Sequence, residues 1–242
     1  MIVLFTDFGL RDPYVGQIKA RLADLAPGHT IMDLLHEVPD YNPHAGAHLL
    51  AAFASGFQPG SVFLAVVDPG VGTPRDGVVV MAGGRWYVGP DNGLLSLVAA
   101  RNADTRVWRI TWQPENASAT FHGRDVFAVI AAEIARGEFP DARLSAIDKL
   151  QVEFDAGDLP RVIYIDHFGN AWTGVRTVPN DARVSAAGRL FKHSESFGFV
   201  AKGEGFWFNN SVGLLELAVN RGNAAETFAL KVGDPVQVQR LN

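Results

Sequence analysis

Ser61-Val62-Phe63-Leu64-Ala65-Val66-Val67-Asp68-Pro69-Gly70-Val71-Gly72-Thr73-Pro74-Arg75 is the stretch on which the fold is decided. Its apolar run reads as a buried strand that ends directly at Asp68, where Pro69-Gly70 breaks it. In open α/β sheets, ligands bind in the crevice beyond the carboxyl ends of the strands. Asp68 is therefore read as chemistry before it is read as solubility.

Working outward, strand and helix signals alternate. Residues 2–6 form a short apolar strand. Asp12-Pro13 reads as the cap and first residue of a helix with Val15, Ile18, Leu22 and Leu25 on one face, stopped by Pro27-Gly28. Residues 30–35 make a second strand, and Asn42-Pro43 repeats the cap-plus-proline start of a helix that runs to Gly56. Short strands follow at 77–81 and 86–89, separated by a Gly83-Gly84 turn. A helix opens at Gly93, and another spans 124–136 with Val126, Ile130 and Ile134 on one face. Such alternation predicts an α/β domain over residues 1–154, with a mostly parallel sheet and flanking helices. Phe154-Asp155-Ala156-Gly157-Asp158-Leu159-Pro160 has linker chemistry. The β-like runs beyond it, at 162–165, 171–175, 206–208, 214–219 and 236–238, predict a smaller domain over 160–242 built as an antiparallel sheet or barrel.

Composition narrows the function. Only 19% of the 242 residues are charged, the net charge is -5, and no basic stripe of the kind a phosphate backbone needs is present, so nucleic acid is not an expected partner. With no cysteine, thiolate catalysis, disulfides and Cys-ligated metals are excluded. No apolar run approaches the roughly 20 residues of a membrane span, and the N-terminus lacks a basic n-region. A soluble, cytoplasmic protein is expected.

Several polar residues stand at turns. Asp7 ends the first strand in Thr6-Asp7-Phe8-Gly9, where a carboxylate can accept from two vicinal hydroxyls, as acids do for ribose in nucleotide folds. A plain loop aspartate is the alternative. His44 and His48 are spaced i, i+4, but Ala45-Gly46-Ala47 supplies no glutamate between them. Exposed or core-edge histidines are therefore expected, not metal ligands. His36 follows a strand and can be a hydrogen-bonded turn residue. Asp68, Arg75 and His122 are far apart in sequence, so only the fold could join them. Asp166-His167-Phe168-Gly169-Asn170 and Asn209-Asn210-Ser211-Val212-Gly213 are polar glycine loops of the kind that bind small ligands. Asn223 with Glu226 looks like a helix cap.

Taken together and in order, these segments resemble one family along nearly the whole chain, the S-adenosyl-L-methionine hydroxide adenosyltransferases, relatives of the fluorinase and chlorinase enzymes. The matching stretches are Thr6-Asp7-Phe8-Gly9, His36-Glu37-Val38-Pro39, Val67-Asp68-Pro69-Gly70-Val71-Gly72-Thr73, Gly89-Pro90-Asp91-Asn92-Gly93-Leu94-Leu95, Thr120-Phe121-His122-Gly123-Arg124-Asp125, Ile165-Asp166-His167-Phe168-Gly169-Asn170, Asn210-Ser211 and Asn220-Arg221-Gly222-Asn223-Ala224-Ala225. The resemblance implies an α/β domain, a β-barrel domain and a homotrimer with active sites between neighbouring subunits. It implies that Asp7, with Phe8 beside it, binds both ribose hydroxyls and that Tyr41 lies near the ligand. Asp166, Phe168 and Asn170 would hold the methionine end and pack on adenine, Ser211 would grip the methionine carboxylate, and the Asn223-Ala224 backbone would recognise adenine.

Asp68, Arg75 and His122 match the side-chain triad of the hydroxide-using branch. Gly123 stands where the fluorinase carries its halide serine, Asp68 where the halogenases use an uncharged residue, and Val212 where the fluorinase has an arginine. The expected reaction is attack of water or hydroxide at C5′ of S-adenosyl-L-methionine, giving adenosine and L-methionine, with no metal and no cofactor. A halogenase of the same fold, or a non-catalytic S-adenosylmethionine-binding protein, is the alternative.

Overall fold

The computed structural model describes residues 1–239, so residues 240–242 of the expected second domain lie outside the described residues. The chain divides into two compact units, Met1–Ala156 and Gly157–Asn242.

In the first unit the elements run β1 (Ile2–Thr6), α1 (Tyr14–Leu25), β2 (Ile31–Leu35), α2 (Pro43–Ala54), β3 (Val62–Val66), β4 (Gly77–Ala82), β5 (Arg85–Pro90), α3 (Ser96–Ala100), β6 (Arg106–Ile110), α4 (Ala128–Ala135) and β7 (Leu144–Ile147). One sheet of order β2-β1-β3-β5-β4-β6-β7 joins the strands. β1 and β3 are buried along their whole length. Ile2, Leu4, Val62, Leu64 and Val66 share a core with Ile18 and Leu22 of α1 and with Ala128, Ala131 and Ala132 of α4, whose small side chains let that helix close on the sheet. Each buried Leu, Ile or Val contributes about 1.5–3 kcal/mol.

The sheet is mixed, which corrects the expectation of a mostly parallel one. β2, β1, β3 and β5 are mutually parallel, whereas β5/β4, β4/β6 and β6/β7 are antiparallel. The cause is local. Ala82 pairs with Arg85, so Gly83 and Gly84 form a two-residue hairpin loop, both at positive φ. A loop of that length can only return the chain antiparallel. β6 and β7 carry weak apolar signals and were not expected.

Asn42 caps α2 as predicted, its Oδ1 accepting from Ala45 N at 3.0 Å with Pro43 in the first turn. Asp12 does not cap α1, whose cap position is Pro13 with no side-chain bond. The predicted helix at 124–136 begins as a π-helical turn, Gly123–Phe127, and becomes α4 only at Ala128.

The second unit contains β8 (Leu159–Ile165), β9 (Ala171–Arg176), β10 (Arg183–Ala186), β11 (Arg189–His193), β12 (Gly205–Asn209), β13 (Leu214–Val219), α5 (Ala224–Phe228) and β14 (Val236–Gln239). Its sheet order is β14-β10-β11-β12-β13-β9-β8, and a bridge between Arg161 and Pro235 brings the two ends almost into a closed barrel. All pairs are antiparallel except β11/β12. The β10–β11 hairpin escaped the sequence reading because Ala187, not asparagine, takes the first left-handed position before Gly188. Asn223 caps α5, accepting from Glu226 N at 2.8 Å.

Candidate active site

The order β2-β1-β3 means that the chain leaves β1 to one side and returns on the other. That is the topological switch point where α/β sheets place their ligand crevice. Asp7 follows β1 directly and Asp68 lies just past β3. Because Thr6 pairs with Val66, the two carboxylates end neighbouring strands. Together with Phe8, His36, Tyr41, Phe121 and His122 they line a cleft of about 870 Å³. The cleft also holds Asp12, Glu37 and Asp40, so its wall is acidic and suits a cationic ligand.

Asp68, Arg75 and His122 do meet. Arg75 donates from Nε to Asp68 Oδ1 at 2.9 Å and from Nη2 to Asp68 Oδ2, a two-point lock that leaves the carboxylate almost fully buried. The same Nη2 lies 3.3 Å from His122 Nδ1. A guanidinium only donates, so Nδ1 presents its lone pair to Arg75 and the neutral ring carries its proton on Nε2. Burial, and then the charge of Arg75, hold the imidazole below its ordinary pKa, which keeps it neutral near pH 7.

Two loops are joined here, and Gly72 joins them. At φ +80° its position is strained for any side chain, and a Cβ would meet Ala119 O at 2.7 Å. The His122 loop is itself pinned by Asp125, which accepts from Ser118 N and from Arg124. The π-helical turn that follows is a feature often found at functional sites.

Asp7 accepts from the backbone N–H of Tyr41 at 3.2 Å, and Tyr41 sits in the left-handed region at φ 57° with its ring exposed. Burial pushes the Asp7 carboxyl above the ordinary aspartate value. The nearby charges of Asp40 and Asp68 push the same way, partly opposed by the Tyr41 N–H.

In the second unit, Asp166 Oδ1 accepts from the N–H groups of Phe168 and Asn170, and Oδ2 from Asn170 Nδ2, so this side chain shapes its own loop. The loop rests on the start of α5. Gly169, at φ +82°, has Asn223 where a Cβ would be, and its carbonyl accepts from Ala225 N. Asp166, the exposed Phe168 and the buried Asn170 line a hollow of about 580 Å³ with Phe197 and residues 219–222. Ser211 is exposed on the β12–β13 turn and is not among the residues lining that hollow. Ala224 is buried.

His44, half-buried, packs its ring against His48, which is buried, and against Phe154, so the pair sits at the edge of the core. Among the described residues, no three of His, Asp or Glu are grouped to hold a metal ion, and no helix is long and apolar enough to cross a membrane.

Glu216 was missed by sequence reading, although an acid inside Leu214-Leu215-Glu216-Leu217-Ala218-Val219 is a visible anomaly. It is buried on β13, and its Oε2 accepts from Asn210 Nδ2 at 3.1 Å. Burial, with the nearby Asp166 charge, pushes its carboxyl up to about 7 from an ordinary 4.5. The folded chain thus keeps a proton that the unfolded chain releases above 4.5, so stability is greatest below that pH and is lost as pH rises through 7. Glu216→Gln keeps the acceptor for Asn210 and removes the charge. We expect it to raise stability at pH 8 by about 1–3 kcal/mol, with little change at pH 4, as read by thermal melts at both pH values. A variant less stable than wild type at pH 8 contradicts this.

A mixed α/β sheet with an acidic crevice at its switch point, followed by a near-closed β-barrel bearing a polar ligand-type loop, defines the class. Residues 2–143 match the family model of the SAM hydroxide adenosyltransferase N-terminal domain, and residues 160–237 match that of its C-terminal domain. The chain belongs to the SAM hydroxide adenosyltransferase family. It is 39% identical to a (R)-S-adenosyl-L-methionine hydrolase of Thermus thermophilus, over 98% of each chain. A protein of the same description from Salinispora tropica is 38% identical over 96% of this chain and 95% of that one. A fluorinase of Nocardia brasiliensis is more distant, 27% identical over 99% of this chain and 96% of its own length. Among solved structures, an uncharacterized conserved protein from Thermotoga maritima superposes with a TM-score of 0.89 at 32% identity, covering 99% of this chain and all of that one.

Proposed function

We propose that this chain hydrolyses S-adenosyl-L-methionine to adenosine and L-methionine by substitution at C5′. The observation that carries the reading is the Asp68–Arg75–His122 assembly, whose Asp68 and His122 line the same acidic cleft as Asp7. The sulfonium leaves as a neutral thioether, so no general acid is needed and the difficulty lies in the nucleophile. His122, neutral and protonated on Nε2, donates to the oxygen of a water and orients it, while Asp68 accepts the proton that water loses. As the O–C5′ bond forms, the C5′–S bond breaks and its electron pair stays on sulfur. Arg75 holds the carboxylate in place and offsets its charge. Asp7 takes the ribose hydroxyls, and the acidic wall favours the cation while repelling a halide ion.

The hollow lined by Asp166, Phe168 and Asn170 supports a second set of substrate contacts at those residues. Ser211, for the methionine carboxylate, and the Asn223-Ala224 backbone, for adenine, lie outside its lining and are proposed from the family resemblance alone. We propose a homotrimer in which the cleft of one subunit and the hollow of its neighbour serve one substrate, with domains at 1–154 and 160–242, in the cytoplasm and with neither metal nor cofactor.

The test is incubation of the pure protein with S-adenosyl-L-methionine, with chelator and without halide, followed by chromatography. Adenosine and methionine are expected in equal amounts. Chloride-dependent formation of a 5′-halogenated nucleoside, or binding without turnover, overturns the reading. Light scattering checks the assembly: a monomer with full activity contradicts the shared site. Because the His122 pKa is lowered, the acid limb of the rate profile is expected below the ordinary imidazole range of about 6.5.

A further inference from the structure

We propose that His36 is the positioning residue for Asp7, acting through an Asp33–His36–Thr6 relay, buried at His36 and Thr6, that sets the strand-end turn against the ribose. The inference rests on the reading of Asp7 as the ribose acceptor. His36 and Thr6 are almost wholly buried, 3% and 1% exposed, so their polar atoms are satisfied within the relay or not at all. His36 Nε2 lies 3.1 Å from Asp33 Oδ1, and Nδ1 lies 2.8 Å from Thr6 Oγ1. Phe8 N donates to that same Oγ1 at 3.3 Å.

One proton arrangement satisfies every member. Asp33 as a carboxylate only accepts, so Nε2 of His36 donates to it. The neutral ring then accepts at Nδ1 from the Thr6 hydroxyl, whose remaining lone pairs take the Phe8 N–H. A protonated ring would donate at both nitrogens and leave the buried Thr6 hydroxyl proton without this acceptor.

The backbone of His36 completes the grip, since its carbonyl accepts from Gly9 N at 2.6 Å. One residue therefore holds the chain at both amides that follow Asp7, Phe8 through Thr6 and Gly9 directly. Thr6 O accepts from Val38 N at 3.2 Å, which ties the neighbouring strand ends together. The β1–β2 register slips between Leu4 and Phe5, where Phe5 pairs with Leu35 after Leu4 has paired with Asp33. Such a bulge re-aims side chains beside functional sites, and here it falls on β2 between Asp33 and His36 of the relay. Lys19 holds the outer end of Asp33 at 2.8 Å.

The relay touches no reacting atom, so its loss should register as lost recognition of hydroxyls and not as lost chemistry. The test compares adenosine with 2′,3′-dideoxyadenosine by calorimetry on the whole protein. Thr6→Val is expected to weaken adenosine about tenfold and leave the dideoxy ligand within about twofold, with Thr6→Ser restoring wild-type preference. KM for S-adenosyl-L-methionine should rise in parallel while kcat stays within about twofold, because the ribose contact is the same in ground and transition states. Asp33→Ala, at the exposed end, should lose part of the same preference, about threefold, and keeps the test available if Thr6→Val does not fold. Equal loss of both ligands, or unchanged preference in these variants, overturns the proposal. Asp7→Ala is the control: if it keeps the preference for adenosine, the reading of Asp7 is wrong, and if it alone loses the preference, only the relay is wrong.

Discussion

Asp68→Ala and His122→Ala should each bind S-adenosyl-L-methionine and turn it over about 10²–10⁴-fold more slowly than wild type, the usual contribution of a positioned proton-transfer group. That range corresponds to roughly 2.7–5.5 kcal/mol of barrier. Removing Asp68 also strands the Arg75 guanidinium, so Asp68→Asn is the cleaner variant, since its amide oxygen can still accept from Arg75 Nε. It should lose a comparable factor, because a neutral amide does not take up a proton from water. The losses should not add in a double variant, since one water is held by both groups. In ¹⁸O-water the label is expected in adenosine and not in methionine, with inversion at C5′, as read by mass spectrometry. Unlabelled adenosine, or wild-type rates in all three variants, would place the water elsewhere.

Asp7→Ala should weaken adenosine by about 10²–10⁴-fold, since two charge-assisted hydrogen bonds of roughly 1.5–3 kcal/mol each are removed. The Tyr41 N–H loses its acceptor as well. Calorimetry showing unchanged affinity contradicts the assignment. The raised pKa of Asp7 adds a second signature. Its charge is lost earlier on acidification than that of an ordinary aspartate, so adenosine affinity should fall at a higher pH than an exposed carboxylate would dictate. Asp68→Asn relieves one of the repulsions on Asp7 and should shift that fall toward lower pH.

Much of this site is legible one segment at a time. Asp7 and Asp68 are recognisable as strand-end acids because the apolar runs before them stop where they begin. Asn42-Pro43 and Asn223 announce helix starts that the fold then uses. Asp12-Pro13 makes the same announcement and is not used, because nothing in a cap signature says whether the side chain will turn toward the helix. Gly83-Gly84 was readable as a turn, yet its consequence, the reversal that makes half of the first sheet antiparallel, follows only when the flanking strands are seen to pair.

His36 and Glu216 show the other limit. Glu216 stands out in its apolar run, but its burial, like that of His36, depends on how distant strands pack. The sequence by itself determined the local elements, the strand-end acids, the absence of thiol chemistry and the acidic balance, because these rest on propensities and periodicities within a few residues. Only the tertiary structure decided the strand order that opens a crevice at β1 and β3. It alone brought Asp68, Arg75 and His122 within hydrogen-bond reach across seven and 47 positions, and it alone buried His36 and Thr6 against each other. The physical reason is that pairing, burial and convergence of loops are set by packing summed over the whole chain, which no single segment encodes.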